Sequence, residues 1–183
     1  MNTMTRTSHI HLMATYNEWM NNKLYEAARS LSDEELCADR KAFFGSILGT
    51  LNHLVAGDTV WLQRFATHPA NYVTLGPIRQ LPVKSLDQLL FPNIRELSAH
   101  RVWLDQQMVE WSRSITESDL DHTLHYTSMK GVPADRNFYG LLMHFFNHQT
   151  HHRGQVTTLL SQAGVDIGDT DLVILIPSEP GVL

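Results

Sequence analysis

The chain has 183 residues, 43% of them hydrophobic and 18% charged, with a formal net charge of -5. That is the composition of one ordinary globular domain, expected to span residues 1–183. The negative balance, with no Lys/Arg cluster to offset it, excludes nucleic acid and anionic membrane as principal partners. A single cysteine, Cys37, cannot close an intramolecular disulfide and fits a reducing compartment. The first twenty residues hold His9, His11, Asn17 and Glu18 and lack the continuous apolar stretch of a secretory signal. No apolar run reaches the length of a membrane span. The expectation is therefore a cytoplasmic protein. One compositional oddity stands out: 11 histidines against 14 Lys+Arg.

Met13, Tyr16, Met20, Leu24, Ala27 and Leu31 recur at helical steps and predict a first long helix over about 6–30. Ser32-Asp33-Glu34-Glu35 has the form of a capping box and predicts a short helical turn. A second long helix is expected over 42–67, with Phe44, Ile47, Leu51, Leu54, Trp61 and Phe65 on its apolar stripe. Pro69, Gly76, Pro77 and Pro82 make 68–84 a loop. A third helix is expected over 85–115, with Pro92 either kinking it or marking its true start.

Over 119–137 the helical pattern gives way to alternation around Leu124 and Tyr126, then Lys130-Gly131 and Pro133, predicting a short hairpin or ordered loop. The fourth long helix is expected over 137–163, with Gly164 ending it. The tail from Val165 is expected to pack back onto the helices. Four long helices with moderate connections make the expected fold class all-α, a four-helix bundle.

The fourth helix holds the densest chemical signal. His144, His148, His151 and His152 fall within nine residues. On a wheel of about 100° per residue, His148 and His152 lie in the stripe of Leu141, Phe145, Val156 and Leu159. His144 and His151 lie toward its edge. Buried polar groups need partners. Two imidazoles stacked at i, i+4 on an apolar face are either hydrogen-bonded core histidines or a pair of metal ligands.

His144 to His152 spans about 12 Å of helix, whereas metal–nitrogen bonds are about 2 Å. One helix thus supplies one adjacent pair, and a third ligand must come from elsewhere. His53 is the strongest candidate, because it shares a face with Ser46, Gly49, Thr50, Ala56, Gly57 and Val60. Such small residues leave room for an ion and a bound molecule. His9, His11, His100, His122 and His125 are weaker rivals. Gln149 stands where a zincin places its glutamate, which disfavours a peptidase of that type. The chain has no Glu-x-x-His of the di-iron bundles.

Leu51-Asn52-His53-Leu54 with Asp58 and Trp61, the stretch Tyr126 to Gly131, and His148-x-x-x-His152-Arg153-Gly154-Gln155 together resemble the DinB family. Tyr16-Asn17-x-Trp19-x-Asn21-Asn22 matches that family's start. The resemblance implies a four-helix bundle holding one divalent metal, zinc or nickel, on His53, His148 and His152. It also implies homodimers, damage-linked expression, and thiol-dependent transferase or isomerase chemistry on a small-molecule substrate with a low-molecular-weight thiol. Metal-dependent hydrolysis and non-catalytic metal binding stay as alternatives. Arg153 is a candidate contact for an anionic group of the thiol, or else part of a surface or supporting salt bridge. Asn17 is a candidate for orienting a ligand, or else a buried hydrogen bond. Asp58 and Asp171 are candidate partners for imidazole N–H groups.

Overall fold

A computed structural model describes residues 4–178, so the single domain expected over 1–183 extends beyond the described residues at both ends. The chain is mostly helical, with five α-helices and one two-stranded sheet among the described residues. Helix α1 (Arg6–Ala28) starts at Thr5, whose hydroxyl accepts from the Ser8 amide. The capping box forms as its residues predict: Ser32 and Glu35 satisfy one another's amides and open α2 (Asp33–Cys37).

Helix α3 (Ile47–Phe65) begins five residues later than the apolar pattern suggests. A tight turn at 39–45 precedes it, in which Lys41 (φ 57°) and Gly45 (φ 73°) adopt left-handed backbone and Asp39 accepts from the Lys41 amide. Ser46 then caps the helix.

The expected helix over 85–115 is shorter. Helix α4 (Ile94–Ser114) starts at the cap Asn93, directly after Pro92. Residues 85–91 lie instead along α3. The Asn52 side chain captures Phe91 as a backbone strand would, accepting from its amide (2.9 Å) and donating to its carbonyl (3.1 Å). The loop over 68–84 carries a 3-10 turn, Val73–Ile78, that buries Leu75 and Ile78.

Strands β1 (Thr123–Thr127) and β2 (Pro133–Asn137) pair antiparallel, Leu124 opposite Arg136, around a turn with Gly131 at φ 77°. This hairpin makes the strict all-α label too narrow. Helix α5 (Phe138–Gln162) is capped by Asn137 and ends before Gly164, at φ 80°. The described tail folds back as expected: Tyr16 donates to the Thr170 carbonyl (2.7 Å) and Lys23 to that of Asp169.

The four long helices pack on one another, α1 against α4 and α5, and α3 against α5 and α4. Phe65, Trp111, Phe138 and Phe145 form the aromatic end of the core, with ring centroids 5.4–5.5 Å from Phe65. Among the described residues no helix is long and apolar enough to cross a membrane.

Candidate metal centre

The seam between α3 and α5 is built in rungs. His53, Gly57 and Trp61 lie on successive turns of α3, and His152, His148 and His144 on successive turns of α5. The rungs meet in register. His53 and His152 have ring centroids 4.4 Å apart, and Trp61 and His144 5.0 Å apart. Between them, a Cβ placed on Gly57 would stand 3.2 Å from His148 Cε1. Glycine at 57 is thus what lets the His148 ring sit against α3.

His53, His148 and His152 are the one group of this kind among the described residues, their ligand atoms within 4.8 Å of one another. His53 Nε2 lies 3.3 Å from His148 Nε2 and 3.2 Å from His152 Nε2. Nitrogens bound tetrahedrally at about 2.0–2.1 Å are separated by about 3.3 Å. Two of the three edges therefore already have the spacing an ion requires.

The proton positions follow from the partners. His53 Nδ1 faces the Leu86 carbonyl at 2.8 Å, and a carbonyl only accepts, so Nδ1 carries the hydrogen. His152 Nδ1 likewise donates to Gln155 Oε1 at 2.8 Å. In the neutral rings both Nε2 atoms are then bare lone pairs, 3.2 Å apart with no hydrogen between them. That contact is repulsive until a cation is shared between them. Burial depresses the pKa of His53 and His152. Burial, followed by the neighbouring imidazoles, pushes His148 down to about 3. Protons are therefore poor occupants, and the donor set fits a divalent ion. Phe44 stacks on the His53 ring at 3.7 Å and covers its face.

The depressed His148 value has a consequence for stability. The metal-free fold holds this ring neutral, while the unfolded chain protonates it near the ordinary value of 6.5. The contribution is present above that value and is lost as pH falls toward 3. Chelator-treated protein should melt at progressively lower temperature as pH drops below about 6.5, and His148→Gln should flatten that slope. An equal slope in the variant would contradict this account.

The most buried stripe of α5 does not pass through the histidines. It runs through Phe145, Gln149, Arg153 and Val156, and His148 and His152 sit half-buried at its edge, facing α3. Arg153 is thus neither at the surface nor in a surface ion pair. It is 2% exposed, donates to Asn17 Oδ1 and lies over the Tyr16 ring. Asn17 makes the buried hydrogen bonds, donating also to Asp105 (2.8 Å). Asp58 serves no imidazole; it accepts from Arg101 at 2.6 Å. Asp171 is exposed and precedes a 3-10 turn.

The other histidines are dispersed. His11 contacts Ser112, His125 pairs with Asp135, His122 packs on His68, and His100 on Phe91. His144 and His151 are exposed. Sequence reasoning missed Phe44, the Leu86 carbonyl and the role of Gln155. Only Gln155 had a legible signal, lying three residues after His152 on one helix face.

A profile of the DinB family matches residues 1–180. Among individual proteins, the chain is 25% identical over 156 residues to "Protein DinB" of Bacillus subtilis (strain 168), covering 85% of this chain and 87% of that one. No solved structure matches the chain. A match over nearly the full length, together with a cluster of three histidines that could hold a metal ion, makes this chain a member of the DinB family.

Proposed function

We propose that the chain is a four-helix-bundle metalloprotein that holds one divalent ion, zinc or nickel, on His53, His148 and His152, and that it is a thiol-dependent transferase acting on a small molecule. One observation carries the ligand assignment: two neutral imidazoles aim bare Nε2 lone pairs at each other across 3.2 Å. Three protein ligands leave a fourth position open, the pattern of catalytic more than structural sites. When bound, such an ion supplies the Lewis acidity that favours thiolate over thiol near neutral pH.

The chain's own residues do the rest. The Leu86 carbonyl and Gln155 fix the tautomers of His53 and His152 and hold both rings in orientation. Phe44 shields the His53 face from water. Arg153, through Asn17, ties α5 to α1, so the two histidines on α5 ride on an anchored helix. Hydrolysis is less well supported, since the buried carboxylates Asp58 and Asp105 are both engaged by Arg101 and offer no free general base. A homodimer and a cytoplasmic location belong to the same proposal.

The test is spectroscopic. Cobalt-substituted protein titrated with glutathione, then with other small biological thiols, should develop a sulfur-to-cobalt charge-transfer band. Absence of the band with every thiol would leave a metal-binding protein without this chemistry.

A further inference from the structure

At the end of the α3–α5 seam, one rung beyond the histidine cluster, lies a cavity of about 470 Å³. Small-molecule sites run from about 300 to 1,000 Å³. Trp61 and Tyr126 form one wall, their ring centroids 5.5 Å apart, and Arg136, Leu141 and His144 complete the surround. Gly140 lines it without a side chain, and the nearest atom to a Cβ there would be 3.8 Å away, so the floor is open.

The aromatic wall is braced. The Arg64 guanidinium lies 4.6 Å from the Trp61 ring centroid and 4.9 Å from that of Tyr126, so both rings are held before any ligand arrives. The two rings are tilted 60° to one another, so a flat apolar body can stack on one and meet the other edge-on, at low ordering cost because both are already fixed. Charge supplies the second half of the recognition. Arg136 makes no ion pair among the described residues; its one bond is to the neighbouring Asp135 carbonyl, through Nη1. The rest of its fork is free for an anion, in a chain whose overall charge is -5. A guanidinium fork matches the two oxygens of a carboxylate, and its single positive charge balances that of a monoanion.

The cavity adjoins the cluster through His144, which lines it one helical turn from His148. Its His144 has its ring centroid 6.0 Å from that of His148, and Gly140 to His148 is about 12 Å of helix. A molecule anchored at Arg136 and lying on Trp61 would have its other end beside His144.

We propose that this cavity binds a planar organic carboxylate, its flat body against Trp61 and Tyr126 and its carboxylate on Arg136, as the second substrate of the neighbouring centre. The role as second substrate rests on the thiol-transfer reading above; the binding itself does not. The binding is therefore tested alone, in metal-free and zinc-loaded protein, so that failure of the metal reading leaves this result unaffected.

The probe is trans-cinnamate, followed by nitrogen-15 NMR through the indole N–H of Trp61, assigned with a Trp61→Phe variant. Cinnamate should shift that signal in a saturable way. Arg136→Gln, an exposed substitution on β2, should weaken binding about tenfold, as loss of a charged hydrogen-bonded pair does. Uncharged cinnamamide should be weakened similarly, and Arg113→Gln, an exposed arginine elsewhere, should change nothing. No saturable shift with cinnamate, equal binding by Arg136→Gln, or tighter binding of phenyl phosphate than of cinnamate would each overturn the proposal.

Discussion

Replacing Arg101 with methionine should destabilise the fold by about 3–5 kcal/mol, the range measured when one partner of a buried ion pair is removed. Arg101 is 2% exposed at the centre of the helices. It donates to Asp105 through Nε (3.0 Å) and Nη2 (2.7 Å), and to Asp58 through Nη1 (2.6 Å). Asn17 and Asn21 donate to the same Asp105 carboxylate. The network ties α1, α3 and α4 together. Without the guanidinium, two carboxylates at 1% exposure lose the ion pairs they make. At roughly 2–4 °C per kcal/mol for a domain of this size, the melting temperature should fall by about 10 °C. A single Arg101→Met change costing under about 1 kcal/mol would show that the network is not what holds these helices together.

The second large effect is metal-linked stability. An ion that binds the folded protein and not the unfolded chain adds about 2.7 kcal/mol at a free concentration 100 times its dissociation constant. For this domain that is a rise of roughly 5–10 °C on adding zinc or nickel to chelator-treated protein. The rise should vanish in His148→Ala and in His53→Ala, since two imidazoles hold a divalent ion far less tightly than three. A full rise retained in either variant would place the ion elsewhere.

Much of this was legible in the chain. Periodicity located the four long helices, and Ser32 and Gly164 marked boundaries by local chemistry that tertiary packing had no reason to override. His53 was legible because its face is a row of small residues. The structure brings its ring to His148 and His152 there.

What was not legible has a common cause. The apolar stripe of α4 runs Leu97, Leu104, Met108, with a gap where Arg101 stands, and that gap is the centre of the buried network. A charged residue on an apolar face reads as an interruption until the partner carboxylate on α3 is in place. Likewise, the buried stripe of α5 passes through Gln149 and Arg153, where Asn17 on α1 accepts from Arg153 and the Met108 sulfur on α4 lies 3.8 Å from the Gln149 amide nitrogen. Hydrophobicity alone shifts the stripe toward the histidines. Residues 85–91 look helical by spacing, but Asn52 and His53 claim the backbone of Phe91 and Leu86. The same contact that unmakes the helix orients the imidazole.

The central claim is that three histidines from two helices hold one ion, and the most direct measurement is elemental analysis of untagged protein beside its His148→Ala variant. About one equivalent of zinc or nickel per chain, lost in the variant, is the expected result. No metal in the wild-type protein, even after reconstitution with either ion, would contradict it and return His53, His148 and His152 to the packing of the α3–α5 seam.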